Sequence, residues 1–323
     1  MEKQNIDLLV PTKISQKKIY DIYCANYDSI HFFFVEFQLA WFQQAYQALR
    51  DLDKYNILVY LYKENFVELS EIFKVKSLNE LYINPRFNLE KINIIQISKS
   101  LRLSKETTRR KVLELEEDGI LIKNKKKITV TLKADLLQKP ESTINSFSKI
   151  LDYLSFLLHK NKEVEKHYQK EFFIAKIKER FTQILAIFLE YQIKYLIERK
   201  ELVNNDIEMF FIIGTLFYNQ ILFVKKSEKK SYYQKEWIDE VLHVGDKKGL
   251  NAMTISDLTG IPRPTVIRKL KILLKQKDIY KDNNNLYYIK EGKLTTELNK
   301  RRLNNIKELT ATIARINNII FFS

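Results

Sequence analysis

Glycine, proline and cysteine are all scarce in this sequence of 323 residues, which contains 6 glycines, 5 prolines and a single cysteine, Cys24. Few glycines and prolines disfavour the many tight turns of an all-β fold and favour long helices. A lone cysteine cannot form an intrachain disulfide, which is typical of proteins from a reducing cytoplasm. The sequence therefore predicts a mainly helical protein with a cytoplasmic location.

Motifs for catalysis and for cofactor binding are also missing. The sequence contains no phosphate-binding loop, no glycine-rich dinucleotide fingerprint and no cysteine or histidine cluster with metal-ligand spacing. Its histidines are scattered, and ordinary core or surface positions suit them better than a catalytic centre. They are His31, His159, His167 and His243. We therefore expect no enzyme activity, no cofactor and no metal.

Segments for export or membrane insertion are lacking in the same way. Residues 1–13 do not have the charged-then-apolar pattern of a signal peptide. The longest apolar run, 209–224, is shorter than the ~20 residues of a membrane span, and it contains Asn219 and Gln220. We expect this run to form a buried core helix, and we expect no membrane partner.

Positive charge, by contrast, is in excess, with a formal net charge of +15 and an isoelectric point near 9.4. Such a balance suits a polyanionic partner such as nucleic acid. Codon bias in an AT-rich genome also enriches lysine, so the charge alone leaves both explanations open. Hydrophobic residues make up 45% of the chain, which is enough for sizeable cores.

A helix-turn-helix pattern covers residues 93–118, and a hairpin pattern follows at 120–132. Apolar residues at helical spacing give the helices one buried face. Ser104 is a good N-cap for the second helix, and Gly119 suits the left-handed residue that closes it. Alternating apolar residues around a lysine-rich tip then predict two strands. This order is that of a winged helix-turn-helix, whose hairpin is called the wing.

The same pattern recurs 158 positions later, as a helix-turn-helix at 252–277 and a wing at 279–289. Its predicted core positions are Ile255, Leu258, Ile261, Val266, Leu270 and Leu273. Gly260 stands in the second turn where the first turn has Arg102. If that position is left-handed, arginine costs about 1 kcal/mol relative to glycine. Together the two copies predict a duplicated unit.

The start of the second helix in each copy resembles the recognition helix of the cyclic-AMP receptor protein superfamily, whose pattern is Ser-Arg-Glu-Thr-x-x-Arg. Residues 104–110 are Ser-Lys-Glu-Thr-Thr-Arg-Arg, and residues 262–268 are Pro-Arg-Pro-Thr-Val-Ile-Arg, without the glutamate. In that family the first arginine, the glutamate and the last arginine contact bases. The positions to which the resemblance assigns these contacts are Lys105, Glu106 and Arg110, with Arg263 and Arg268 in the second copy.

Neighbouring residues complete the predicted DNA-binding surface. A helix in the major groove reads base edges through its first residues, while a basic wing touches phosphate or the minor groove. The predicted DNA-binding residues are Ser104, Lys105, Glu106, Arg109, Arg110, Lys125, Lys126, Lys127, Arg263, Thr265, Arg268 and Lys269. The alternative is a protein-docking module, in which the basic residues are simply exposed.

The repeat extends beyond the helix-turn-helix and divides the chain into units at 1–165 and 166–323. Each unit has a long helix, a helix capped by Asp51 or Asp206, the winged helix and a closing helix with heptad-like spacing. This order resembles the MarR class of winged-helix repressors, whose outer helices form a dimer. The resemblance implies that the two units pair as an intrachain pseudo-dimer. Alternatively, the heptad faces join two chains into a homodimer.

The favoured interpretation is a transcription regulator that binds double-stranded DNA through two winged helix-turn-helix units, in the nucleoid region of the cytoplasm. A plasmid-type replication initiator also carries two winged helices in a basic chain of this size. A third interpretation is a non-catalytic scaffolding protein that uses winged helices for protein contacts. The sequence identifies no small-molecule effector, although an aromatic helix near residues 33–46 is long enough to line a pocket.

Overall fold

The computed structural model describes residues 14–72, 74–83, 87–89, 92–124, 127–131, 140–227, 234–243 and 249–322. The helices are α1 (Gln16–Ala25), α2 (Tyr27–Leu49), α3 (Leu52–Glu71), α4 (Leu78–Ile83), α5 (Ile94–Leu101), α6 (Lys105–Glu117), α7 (Glu141–Lys160), α8 (Lys170–Glu179), α9 (Phe181–Leu202), α10 (Ile207–Ser227), α11 (Gln234–His243), α12 (Ala252–Thr259), α13 (Arg263–Lys275) and α14 (Lys293–Phe322). The strands are β1 (Phe87–Leu89), β2 (Leu121–Asn124), β3 (Lys127–Val130), β4 (Ile279–Lys281) and β5 (Tyr287–Ile289). The protein is mainly helical with two small antiparallel sheets, which confirms the predicted class at this level.

Each small sheet is built around a hairpin. β2 pairs with β3, placing Leu121 opposite Val130, and β1 lies on the other side of β3. β4 pairs with β5, and Leu250 forms a single bridge to Tyr287. Both hairpins are therefore extended by a segment that precedes a short helix, α5 in one case and α12 in the other.

The two short-and-long helix pairs lie within the predicted bounds. The predicted ranges are 93–118 and 120–132 in the first half of the chain, and 252–277 and 279–289 in the second. Helices α5 and α6 are followed by the β2–β3 hairpin, and α12 and α13 by the β4–β5 hairpin. The side chains of Asn93 and Asn251 cap α5 and α12 by accepting a backbone N–H hydrogen bond.

The turn inside each helix pair has the same backbone conformation and the same hydrogen bond. Arg102, with φ of 50°, and Gly260, with φ of 73°, are both left-handed. Ser98 and Ser256 each donate a hydroxyl hydrogen bond to the carbonyl oxygen five residues later, at 2.8 and 2.7 Å. The left-handed arginine costs about 1 kcal/mol relative to glycine, so the first turn is the more strained of the two.

One predicted core position of the second helix pair is wrong. Leu258 is 49% exposed, whereas Thr259 is fully buried and donates its hydroxyl to the Ile255 carbonyl oxygen at 2.7 Å. The buried stripe follows Ile255 and Thr259, which are four positions apart, and this turns Leu258 toward solvent. The other predicted positions are buried: Ile255, Ile261, Val266, Leu270 and Leu273.

The long helices α2 and α9 meet through a buried pair of side-chain amides. Gln38 donates to the Gln192 carbonyl oxygen at 3.0 Å, and Gln192 donates back to that of Gln38 at 2.9 Å. The two glutamines are 154 positions apart and occupy equivalent places in the two helices. Buried amides need partners, and here each glutamine supplies the partner of the other.

Aromatic rings flank the glutamine pair in matched positions. Phe34 packs edge-on against Tyr195 with ring centroids 5.6 Å apart, and Trp41 contacts Phe188 at 5.9 Å. The same separation of 154 positions relates Phe34 to Phe188 and Trp41 to Tyr195. The two contacts are therefore equivalent, and aromatic pairs of this kind add about 0.5–1.5 kcal/mol beyond the area they bury.

Four of the other helix contacts between the halves 1–165 and 166–323 form two matched pairs. Helix α3 packs against α9, as α10 packs against α2, and α1 packs against α14, as α8 packs against α7. Within each half, the long helix packs against the closing helix, α2 against α7 and α9 against α14. The buried residues of both halves consequently form one continuous apolar core.

Helix α10 contains the one stretch of the described chain that is long and apolar enough to cross a membrane. This stretch, Ile207–Val224, has a mean hydropathy of 1.7, and 61% of it is buried inside the protein. The helix packs against α2, α9, α12 and β5. Such contacts are those of a core helix, which is what the sequence predicts for residues 209–224.

We expect Gln38→Leu to destabilise the fold, because it leaves the Gln192 amide buried without its partner. The free energy of unfolding should fall by about 1–3 kcal/mol, the usual penalty for an unpaired buried polar group. Replacing both glutamines by leucine should recover most of this loss, since neither amide then remains. Urea unfolding of the wild type, both single variants and the double variant measures the effect. Simple addition of the two single losses contradicts the pairing.

Candidate nucleic-acid interface

Helix α6 presents a polar face to solvent along its first turns. Ser104 caps the helix, as predicted, by accepting a hydrogen bond from the Thr107 N–H at 2.9 Å. The buried side of the helix carries Thr108, Val112 and Leu115. The exposed side carries four predicted DNA contacts: Lys105, Glu106, Arg109 and Arg110.

The exposed charges of α6 form ion pairs along the helix. Arg109 lies 3.1 Å from Glu106, and Arg110 lies 3.9 Å from Glu114. The hydrogen bond from Arg109 lowers the pKa of Glu106, and the positive charge of the same arginine lowers it further. The side chains of Arg109 and Arg110 remain 61% and 63% exposed. Exposed pairs contribute at most about 1 kcal/mol, so both arginines can exchange a carboxylate for another anion at small cost.

Helix α13 exposes two arginines on the corresponding side. Arg263 and Arg268 are exposed, and neither forms an ion pair within the part of the chain that the structure describes. Thr265 is partly buried between them. Pro262 precedes the helix and has no side-chain hydrogen bond with which to cap it. The two longer helices therefore present different side chains at equivalent positions.

Lys269, predicted to contact DNA, lies inside the protein instead. Its side chain is only 5% exposed, and its ammonium group pairs with the carboxylates of Asp206 and Glu208, the latter at 3.1 Å. Successive residues of a helix point about 100° apart. Arg268 therefore faces solvent while Lys269 faces the start of α10, and the prediction of a DNA contact is wrong at this position.

Lys111 makes the equivalent contact in the first half. Its ammonium nitrogen lies 2.6 Å from the carboxylate of Asp51 and 2.9 Å from that of Glu114. Asp51 also caps α3 by accepting hydrogen bonds from the N–H groups of Asp53 and Lys54. Burial raises the pKa of Asp51, but the hydrogen bonds from Lys111 and the backbone outweigh it, so the pKa lies below its usual value.

These contacts fasten each longer helix to the acid-capped helix of its own half, and we call them the lysine–aspartate anchors. The lysines, Lys111 and Lys269, are 158 positions apart, and the aspartates, Asp51 and Asp206, are 155 positions apart. The sequence predicts the two aspartates as helix caps, but their pairing with the lysines was missed. The anchors determine which sides of α6 and α13 face outward.

The predicted wing contacts fall mostly outside the described residues. Lys125 and Lys126 are not among the described residues. Lys127 begins β3, but its side chain is also outside the described part. The tip of the second hairpin has a different chemistry, because the carboxylate of Asp282 accepts hydrogen bonds from two backbone N–H groups of the tip, at 2.9 and 2.8 Å. A basic hairpin tip that contacts DNA is therefore predicted for the first hairpin only.

The turn of each helix pair is contacted by the end of the long helix from the other half. Arg102 pairs with Glu201, near the end of α9. Arg50, just after α2, donates to the Gly260 carbonyl oxygen at 3.2 Å. These partners are 99 and 210 positions apart, so no local pattern in the sequence reveals them. The contacts fix each turn relative to the opposite half.

Comparison with protein-family models, with curated proteins and with solved structures found no match to this chain. What the two exposed faces can bind therefore follows from their own chemistry. Ammonium and guanidinium groups at the first turns of a helix suit phosphate oxygens and the edges of guanine bases.

The stability contributed by the first lysine–aspartate anchor should depend on pH. We expect Lys111→Met to lower the free energy of unfolding by about 1–3 kcal/mol near neutral pH, because Asp51 loses a charged hydrogen-bond donor. The folded-state pKa of Asp51 lies below its unfolded value, which is about 3.9. The contribution is therefore present above about pH 4 and is lost as the pH falls through the folded-state pKa.

Chemical unfolding of wild type and Lys111→Met at several pH values from 7 to 3 measures this difference. Lys176→Met is a matched control, since Lys176 pairs only with the exposed Glu179 among the described residues. The control should change the free energy of unfolding little. A difference for Lys111→Met that stays constant down to pH 3 contradicts the assigned pairing.

Proposed function

We propose that this protein is a sequence-specific, DNA-binding transcription regulator that uses two winged helix-turn-helix units in one chain. The observation that carries the proposal is the pair of outward-facing basic helix starts, residues 105–110 on α6 and 263–268 on α13. Each lies on the side of its helix that the lysine–aspartate anchor leaves exposed. Each helix is followed by an antiparallel hairpin, which is the element order of a winged helix-turn-helix.

The proposed mechanism places the start of each longer helix in the major groove of double-stranded DNA. Arg110 and Arg268 stand at equivalent positions, 158 residues apart. An arginine there can donate two hydrogen bonds to the O6 and N7 atoms of a guanine. Lys105 and Arg263 are the second equivalent pair, and they supply positive charge at the first residue of each helix. Both pairs are exposed, so neither needs a rearrangement of the core to reach DNA.

We further infer that the two units pair inside one chain as a pseudo-dimer. The reciprocal hydrogen bonds of Gln38 and Gln192 and the matched helix contacts support this inference. Dimers of this kind bind DNA sites whose symmetry mirrors their own. Pro264 stands in the second unit where the first has Glu106, so at this position only the first unit can accept a hydrogen bond from cytosine. We therefore expect an asymmetric or loosely palindromic binding site.

A single experiment separates this function from the two alternatives that the sequence leaves open. Genomic DNA fragments captured by the purified full-length chain are sequenced at two salt concentrations. Fragments clustered upstream of promoters support a regulator, and fragments from iterated repeats at an origin indicate a replication initiator. Capture that is neither salt-sensitive nor sequence-selective overturns the DNA-binding proposal and favours a scaffolding protein.

We expect Arg110→Ala to relax sequence preference at one base pair by ~1–3 kcal/mol, because the bidentate contact to a guanine is lost. Binding to sites that vary at other base pairs should keep its preferences. Lys300→Ala is the matched control, since Lys300 is 66% exposed on α14 and lies outside both helix pairs. Titrations with a library of single-base variants of the captured site measure the effect. An unchanged preference at every base pair rules out the assigned role.

We expect Lys126→Ala to act differently, by weakening binding to all DNA sequences alike. A phosphate contact carries no base information, and its loss should reduce the slope of log K against log salt concentration by about 1. The same titrations, repeated from low to physiological salt, give this slope. A sequence-dependent loss, or an unchanged slope, contradicts a phosphate-contacting hairpin tip.

A further inference from the structure

A partly enclosed cavity of about 130 Å³ lies between α2, α9, α10, α11 and α14. Its walls are mostly apolar and include the rings of Phe34 and Phe210. Three basic side chains interrupt them, His31, Arg199 and Arg302, and so do the side-chain amides of Gln38, Asn299 and Asn305. Apolar walls with a few convergent polar groups are the usual form of a small-molecule site.

Arg199 places a positive charge inside the protein, in the wall of this cavity. The residue is 5% exposed, and its guanidinium group lies over the Tyr195 ring, 4.7 Å from the centroid. The Nη1 atom is buried and has no hydrogen-bond partner among the described residues. No ion pair to Arg199 is formed by any residue in the described ranges. A buried charge left unpaired is strongly unfavourable, so an anion beside this group stabilises it.

Arg302 faces the same cavity from α14. Its Nη1 atom donates to the Asn299 side-chain oxygen at 3.3 Å, while its Nε atom is buried and has no partner within the described ranges. Arg302 also forms no ion pair with the residues that the structure describes. Burial, together with the charges of Arg302 and Arg199, lowers the pKa of His31 to about 3. The imidazole is therefore neutral, and the positive charge of the cavity comes from the two arginines.

The equivalent place in the other half of the molecule provides a comparison within the same chain. A smaller cavity of about 60 Å³ lies there, beside Trp41. The equivalents of His31, Arg199 and Arg302 in that half are Leu185, Ala45 and Thr143. Val59 stands at the equivalent of Gly214, whose lack of a side chain leaves room in the larger cavity. The helix packing is thus compatible with uncharged residues at all three positions, and the two arginines belong to one cavity alone.

We propose that the larger cavity binds a small organic carboxylate with an apolar body, and that its carboxylate group pairs with Arg199 and Arg302. Guanidinium groups match carboxylate geometry with parallel N–H donors, and the aromatic walls cover the body. A closed cavity of ~150 Å³ holds a benzene ring, and this cavity of about 130 Å³ is only partly enclosed, so a body of up to about six carbon atoms fits it. This site is separate from the exposed faces of α6 and α13, and it does not rest on the proposed function.

Calorimetric titration of the full-length protein with benzoate and with hexanoate tests the proposal. Each acid is compared with its neutral amide, benzamide or hexanamide, which has the same body without the charge. We expect at least one acid to bind, and to bind at least tenfold more tightly than its amide. A preference for benzoate identifies a planar body as the natural ligand class, and a preference for hexanoate a flexible one. Binding of neither acid, or equal binding of acids and amides, overturns the proposal.

Two variants introduce residues of the smaller cavity into the larger one, namely Arg199→Ala and Arg302→Thr. Each should weaken binding of the preferred acid at least tenfold, because one guanidinium partner is lost. Arg315→Ala is the matched control, since Arg315 is an exposed arginine of α14 that pairs with Glu190, and its affinity should stay within twofold of wild type. Without ligand, Arg199→Ala should melt at the wild-type temperature or above, because an unpaired buried charge has been removed. Wild-type affinity in both cavity variants, or an equal loss in Arg315→Ala, contradicts the assigned site.

Discussion

The reciprocal hydrogen bonds between Gln38 and Gln192 fix the relation between the two halves of this protein. A glutamine amide has a donor on one side and an acceptor on the other, so two buried amides satisfy each other in few relative positions. Apolar side chains can slide past one another, whereas an amide that slides loses its partner at a cost of about 1–3 kcal/mol. The flanking aromatic contacts, and with them the packing of α3 and α10 on the central helices, depend on this registration.

On this scaffold the lysine–aspartate anchors act together with the buried apolar residues of α6 and α13 to set which side of each helix faces solvent. In each half a carboxylate at the start of the acid-capped helix holds the ammonium group of Lys111 or Lys269. That end of a helix favours negative charge, so the carboxylate is well placed as a fixed point. One residue earlier along each longer helix, the side chain points outward, which is where Arg110 and Arg268 lie. Contacts near the core thus orient the exposed arginines.

Features that depend on neighbouring residues could be predicted from the sequence, whereas features that depend on distant partners could not. The Ser104 cap, the helix bounds and the exposure of most predicted contacts follow from local spacing. Lys269 is paired with a residue 63 positions away, which no local pattern reveals. Leu258 is predicted to be a core residue, yet Thr259 is buried instead, because a threonine can be buried by hydrogen bonding to its own helix. Arg199 lies in a charged run typical of a surface, which conceals its burial.

Arg199 and Ala45 occupy equivalent places in a single polypeptide. In an assembly of two identical chains, every mutation occurs in both chains. A residue introduced at one site therefore also appears at the symmetry-related site. A gene that encodes both halves in tandem has no such obligation. One half can keep small, uncharged residues where the other half has arginines, while the residues that join the halves stay complementary.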